Sequence, residues 1–322
     1  MFKRHFLLST LAVALLAGCA SAPSTPPMTK MVIGVQAAKP DEIRAAWLPL
    51  VQDLGKKNNI ATELVTASQS EIVAALRDGK IDVAWLSSST AIDAVVDADA
   101  EAFALYYNVN GTNGYKGVII TRADSGITTL DQAFIQGKYS YAGGAKTSTS
   151  GYVLPQALLF SKRNTTPELL FKSVTIGGHF PNLDALWGKK VDVAVNNSTD
   201  LAVFQERTPE AKAGIRVLWE SPLVPNDVLM TRVSTPAAHK AKMQEIFFNY
   251  AKTDALEKEL FKKASGIRNF IAADNKLLYP VTEFKFGAER AAIEGNAALS
   301  AADKAAQLER IAQRLRTFKK SL

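Results

Sequence analysis

Lys146-Thr147-Ser148-Thr149-Ser150-Gly151 sets a run of hydroxyls after paired glycines, Gly143-Gly144, and directly before a helical pattern at 152–163. First-turn amides of a helix have no intrahelical acceptor, and the helix dipole favours negative charge there. Ser148, Thr149 and Ser150 are therefore placed to hold a tetrahedral oxyanion. The same hydroxyls would also serve as plain N-caps. His179 follows Gly177-Gly178 at the end of a strand-like stretch, 174–176, where its imidazole either adds a donor to an anion or makes a structural hydrogen bond. Tyr115, in Asn113-Gly114-Tyr115-Lys116, and Asp227, after Pro225-Asn226, each stand at the head of an extended segment.

Catalytic and metal-binding material is scarce. The chain has three histidines and one cysteine, with His5 near the amino end and His239 close to Lys240 and Lys242. A zinc site or a Ser/His/Asp triad has little to draw on, so neither an enzyme nor a metal or other cofactor is expected.

The elements that must position these residues alternate. Residues 31–36 read as a strand, 41–57 as an amphipathic helix, 62–67 as a strand, 70–78 as a helix and 82–86 as a buried strand. Strands alternating with helices imply parallel sheets covered on both faces. An internal repeat sharpens this. Lys80-Ile81-Asp82-Val83-Ala84 recurs as Lys190-Val191-Asp192-Val193-Ala194, 110 residues later, and each copy runs into a polar cluster, Ser87-Ser88-Ser89-Thr90 or Asn196-Asn197-Ser198-Thr199. Ligands bind beyond the carboxyl ends of strands in open α/β sheets, so two lobes facing one cleft are expected.

Residues 115–122 and 228–233 read as strands that cross between the lobes, which places Tyr115 and Asp227 on the cleft floor. The expected divisions are a first lobe at 31–120 plus 229–280, a second at 121–228, and a helical extension at 281–322. The last helix, 301–318 with Ser300 as its cap, is either a brace across the lobes or a solvated tail.

The amino end carries Lys3 and Arg4, an apolar run at 6–16, and Leu16-Ala17-Gly18-Cys19. That run is too short to span a bilayer, and small residues before a cysteine suit lipoprotein processing. Residues 1–18 are expected to be a signal peptide, and Cys19 the lipidated residue. Residues 19–30, with Pro23, Pro26 and Pro27, read as a flexible tether. Loss of Lys3 and Arg4 lowers the net charge from +7 to +5, and the remaining charges are scattered, so no nucleic-acid partner is expected. With one cysteine no internal disulfide forms, and the fold must hold by burial.

From about Ile33 onward the chain resembles the phosphonate-binding proteins of bacterial ABC importers. The resemblance rests on Asp82-Val83-Ala84-Trp85, Ser148-Thr149-Ser150-Gly151, Gly178-His179, Asp192-Val193-Ala194 with Asn196-Asn197, and Ser221-Pro222-Leu223-Val224-Pro225. It implies a type II periplasmic binding fold whose lobes close on a phosphonate and deliver it to a permease and its ATPase. By that pattern Ser148, Thr149 and Ser150 hold the phosphonate oxygens, His179 adds a donor, Tyr115 lies against the ligand and Asp227 faces its substituent.

Two positions depart from the pattern of aminoalkylphosphonate binders. Leu86 stands where those members have a tyrosine, and Thr199, with Asp200 beside it, where they have a glutamate. A methylphosphonate or phosphite ligand is then favoured over aminoethylphosphonate, in a protein anchored by its lipid at the periplasmic face of a membrane. The alternatives are another oxyanion or small polar organic on the same fold, and, further off, a cleft enzyme.

Overall fold

The computed structural model describes residues 25–37 and 40–322. The leader at 1–18, Cys19 and residues 20–24 of the tether lie outside the described residues. The first α/β run gives β1 (Lys30–Gln36), β2 (Ala61–Ala67), β3 (Val83–Leu86) and β4 (Ala100–Asn108). Next β5 (Gly114–Tyr115) leads into β6 (Gly117–Arg122), and the second run adds β7 (Ser140–Gly143), β8 (Ser173–Ile176), β9 (Val193–Asn197) and β10 (Ile215–Glu220). The return is β11 (Val224–Pro225), followed by β12 (Val228–Arg232) and β13 (Ile267–Ala272).

These strands form two sheets. A six-stranded sheet has the order β13-β4-β12-β3-β1-β2, and a five-stranded sheet the order β10-β6-β9-β7-β8. The pairs β1–β2, β1–β3, β7–β8 and β7–β9 are parallel, whereas β6 and β12, each wholly within one sheet, run antiparallel to their neighbours. Both faces of the first sheet are covered, as parallel strands require. Val32, Ala84 and Leu86 enter one apolar cluster, while Met31, Ile33, Val83 and Trp85 enter the other. The second sheet repeats the plan, with Val118, Ile120 and Ala194 on one face and Ile119, Val193 and Val195 on the other.

Between the sheets β5 pairs antiparallel with β11, Tyr115 opposite Val224 and Gly114 opposite Pro225. A side chain at position 114 would place its Cβ 2.6 Å from the Val224 carbonyl oxygen, which is why glycine stands there. Because β6 already belongs to the second sheet at Gly117, the chain changes sheets between Asn108 and Gly117, upstream of the expected division after residue 120.

The repeated aspartates do the same work in both lobes. Asp82 accepts from the Val32 amide of β1 at 2.8 Å, and Asp192 accepts from the amide and hydroxyl of Ser140 at the head of β7 at 3.0 and 2.7 Å. An arginine completes each copy. Arg232, ending β12, donates to the carbonyls of Leu76 and Ile81 at 3.0 and 2.8 Å, and Arg122, ending β6, donates to those of Leu186 and Val191 at 3.2 and 2.9 Å. Each guanidinium thereby satisfies carbonyls at the helix end and turn that precede the repeated aspartate. Arg122→Ala removes both charge-assisted bonds, leaving the Leu186 carbonyl only backbone amides such as that of Lys189, and is expected to cost about 2 kcal/mol, read as a lowered urea midpoint with an unchanged slope.

The carboxyl-terminal helices, Tyr279–Glu294 and Ala301–Lys320, are a brace rather than a solvated tail. Phe286, Ile311 and Phe318 are buried in one cluster with Leu154, which lies just after the hydroxyl run, and with Ile92 and Val95 of the helix Ser88–Asp97. Lys285, 4% exposed, pairs with Asp93 and Glu289 at 3.0 Å each, and Arg314 reaches Asp93 at 2.6 Å and Asp97 at 2.7 Å. The helix that presents Ser88 and Ser89 is thus held from behind by apolar packing and a charge network. Ser300 caps the last helix, its hydroxyl accepting from the Asp303 amide at 3.1 Å.

Candidate anion site between the lobes

Four helices begin where strands end. Ser88–Asp97 comes after β3, the hydroxyl run after β7, His179–Trp187 after β8 and Ser198–Arg207 after β9. The loop after β7 is shaped by close approach. The Gly144 amide donates to the Gly151 carbonyl at 3.0 Å, and a Cβ on Gly144 would lie 2.7 Å from the Gly151 Cα. Ser148 caps the turn, its Oγ accepting from the Gly151 amide at 3.1 Å, which leaves its hydroxyl hydrogen free to donate. Beyond this cap the backbone departs from the α-helix expected over 152–163. Two π-helical turns, Thr149–Val153 and Gln156–Phe160, lead into a 3₁₀ turn at Ser161–Arg163.

The lobes meet at Thr149, whose Oγ1 accepts from the Ser89 amide in the first turn of the facing helix at 2.9 Å. Two helix amino termini therefore converge, and each contributes amide hydrogens and a positive dipole end. Thr149 and Ser150 are nearly inaccessible, at 1% and 2% exposure. The Ser150 hydroxyl lies 3.2 Å from His179 Nε2. Burial lowers the His179 pKa, with the Asp200 charge opposing, so the ring is neutral at neutral pH. Asn196 fixes the backbone here by donating to the His179 carbonyl at 2.8 Å. Tyr115 is buried beside the Thr149 and Ser150 side chains. Desolvation first and the Asp227 charge second raise its phenol pKa, so it stays a neutral hydrogen-bonding group.

Asp227 accepts from Trp85 Nε1 at 2.9 Å, and Tyr106 and Trp47 pack on that indole with ring centroids 4.9 Å away in each case. Burial pushes the Asp227 carboxyl from the ordinary 3.8 up to about 7, the Trp85 hydrogen bond opposes the rise, and the charge on Asp200 adds to it. Asp200 is itself held by Asn197, which donates to Oδ2 at 2.9 Å and accepts from the Asp200 amide at 2.8 Å.

The structure thus brings together Tyr115, Thr149, Ser150, His179 and Asp227, with Ser148 in the capping position. Thr199 is half-buried in the first turn of its helix, and the carboxylate felt throughout the site belongs to its neighbour, Asp200. Leu86 is fully buried in the apolar cluster and pairs with Val228. Cys19 lies outside the described residues.

Three residues join the site beyond those singled out in the sequence. Trp85 orients Asp227, and Asp200 sets the electrostatics. Ser89 offers an Oγ that is buried without a partner, beside the amide that meets Thr149. The polar cluster Ser87-Ser88-Ser89-Thr90 at a strand's carboxyl end was the signal for Ser89.

Two sheets joined by crossing segments, with helix amino termini facing each other across the junction, define a two-lobed periplasmic binding protein of type II. A binding-protein component of an ABC phosphonate transporter from Pseudomonas aeruginosa has this structure, with a TM-score of 0.78 at 28% identity over 91% of this chain and 98% of that one. Residues 33–278 match the family described as the periplasmic substrate-binding protein of phosphonate ABC transporters, and this chain belongs to that family. The phosphonates-binding periplasmic protein of Escherichia coli K12 is 30% identical over 275 residues, 85% of this chain and 80% of that protein. A Prochlorococcus marinus protein solved with methylphosphonate shares the fold, with a TM-score of 0.68 at 13% identity over 80% of this chain and 97% of that one.

Proposed function

We propose that the chain captures a phosphonate between its lobes, delivers it to an ABC permease with its ATPase, and does so from a lipid anchor on Cys19. The observation that carries the ligand assignment is the meeting of two helix amino termini at Thr149 and the Ser89 amide. In this reading Ser148, Thr149, Ser150 and the amides around them hold the phosphonate oxygens. His179 adds a neutral donor through Nε2, and Tyr115 closes one side. None of these groups is a fixed cation, so anion affinity comes from preorganised dipoles, and reopening of the lobes releases the ligand without breaking an ion pair. Capture requires no nucleophile, and relatives named for binding point the same way. Titration calorimetry with methylphosphonate, phosphite, aminoethylphosphonate and phosphate tests the assignment. Failure of all three phosphorus ligands other than phosphate would overturn it.

The substituent end faces Asp227. Leu86 and Thr199 in place of a tyrosine and a glutamate support a small uncharged substituent, as in methylphosphonate or phosphite. One observation favours the ammonium-bearing alternative. Asp200 returns a second carboxylate next to the lost glutamate's position, close enough to raise Asp227.

The pH dependence separates the two. With the Asp227 carboxyl at about 7, raising pH from 6 to 8 ionises it, which attracts an ammonium and gives an uncharged substituent nothing. The ratio of aminoethylphosphonate to methylphosphonate affinity is expected to climb roughly tenfold across that window, since the ionised fraction does so. The ammonium lowers the phosphonate group's own pKa in one ligand only, so the same ratio measured in Asp227→Asn, where no carboxyl titrates, is subtracted. A ratio above one at pH 8 establishes the ammonium-bearing ligand, and a ratio below one the small one.

A further inference from the structure

The helix Ala255–Ser265 leads through Gly266 into β13, and a recess of about 640 Å³ opens beside the two. Lys252, Lys258, Lys262 and Arg268 line it, and no residue of the anion cleft does. The helix buries Phe261 and Ala264 in the core and turns Lys258 and Lys262 toward the recess, one turn and about 6 Å apart along its axis. Among the described residues no carboxylate pairs with Lys258, Lys262 or Arg268. Glu259, the acidic residue of the lining, pairs with Lys263 at 3.5 Å. The other wall is a sheet edge. β13 is the outermost strand of the first sheet and pairs with β4 alone, so the backbone groups along its outer side have no strand partner. Its first three residues, Ile267, Arg268 and Asn269, border the recess.

A free edge is a template for another strand, and cations beside it repel a second copy of the same edge, which carries them too. The same charges admit a strand of opposite sign. Alternate side chains of an extended peptide recur about every 6.6 Å, close to the spacing of the two lysines, so acidic residues at every second position meet both. The ends of this chain do not supply such a strand: residues 20–30 hold no carboxylate, and Lys319-Lys320-Ser321-Leu322 is basic. A bilayer offers its charge as a plane, whereas these cations stand around a recess. We propose that the recess and the outer edge of β13 form a docking groove for an acidic, extended segment of a partner protein, held by strand addition and by Lys258, Lys262 and Arg268.

The probe is a fluorescein-labelled peptide that alternates threonine with three glutamates, titrated with the full chain and read by anisotropy. It is expected to bind saturably and about tenfold more tightly than its glutamine counterpart, the margin of two or three exposed ion pairs. Lys258→Glu combined with Lys262→Glu, both at exposed positions, should weaken it by about tenfold or more for the same reason. Methylating alternate backbone amides of the peptide keeps its charge and removes its strand hydrogen bonds, which should weaken it about fivefold. Absence of saturable binding, equal affinity for the glutamate and glutamine peptides, or binding unmoved by the double variant or by methylation overturns the proposal. Retention of phosphatidylglycerol vesicles in place of the peptide overturns it in favour of a lipid surface. The peptide titrations contain no phosphorus ligand, so their outcome is independent of the anion-site assignment.

Discussion

Replacing Ser148 and Thr149 together by alanine is expected to weaken methylphosphonate, phosphite and aminoethylphosphonate alike by about 10²- to 10⁴-fold, read by calorimetry. Each hydroxyl donating to an anion is worth about 1.5–3 kcal/mol, and the two act on the group common to all three ligands. The single variants divide the effect by mechanism. Ser148 Oγ accepts the Gly151 amide, so Ser148→Ala also removes an N-cap and should lower stability by about 1 kcal/mol. Thr149 Oγ1 receives the Ser89 amide from the other lobe, so Thr149→Ala removes an anion donor and a contact across the closed cleft at once. Thr149→Ser retains both and should bind within a few-fold of the unmodified chain. If Ser148→Ala lowers the melting temperature and leaves affinity unchanged, Ser148 is a cap and no more. If the double variant keeps full affinity with an intact circular dichroism spectrum, the anion does not bind at this helix terminus.

Much of this arrangement was legible because it is local. The glycine pair, the hydroxyl run and the apolar stretch after it lie within about twenty residues, and their order alone marks a strand, a tight loop and a helix start. The repeat of Asp82 at Asp192 was legible as well, and the structure supplies its reason: each carboxylate ties the strand it precedes to the head of a parallel neighbour. The partner arginines were not legible. Arg232 and Arg122 reach their carbonyls from strands far away in sequence, and no spacing rule links Arg232 to Ile81 across 151 residues.

The same limit explains the site residues that the sequence did not single out. Ser89 and Thr149 are 60 residues apart and meet only because the lobes close. Trp85 reads as packing at a strand end, and its ring does pack, yet its Nε1 also fixes Asp227. Thr199 and Asp200 are neighbours on one turn, and which of them influences the cleft depends on the phase of the helix that Asn197 caps. The π-turns leave no mark in composition, because a shift of hydrogen-bond register from four residues to five changes no residue type. The final helix shows the converse. Its Ala-, Lys- and Arg-rich composition fits a solvated tail, and two buried positions, Ile311 and Phe318, together with Arg314 against Asp93, make it a brace.

Asp227→Asn should change both stability and selectivity, and the sign of each comes from one carboxyl. Folding raises this group from 3.8 to about 7, so between those values the folded chain holds a proton that the unfolded chain has released. Stability from this group is therefore lost as pH rises through the window, and above about pH 7 the cost is complete. Asparagine carries no charge and still offers Oδ1 to the Trp85 indole, so the variant should exceed the unmodified chain by about 2–4 kcal/mol at pH 8, a gap that closes toward pH 4. Melting temperatures at pH 5 and pH 8 check this, and a gap that does not widen with pH would show that the carboxyl bears no such cost. Selectivity should move the other way. An ionised Asp227 repels the unprotonated oxygens of dianionic phosphate, so its removal should raise phosphate affinity at least about tenfold while lowering that of aminoethylphosphonate. On the proposed reading, a residue that costs stability at working pH and has a stabilising replacement in asparagine is accounted for by the anion it would exclude, phosphate, which the hydroxyls and amides alone would accept.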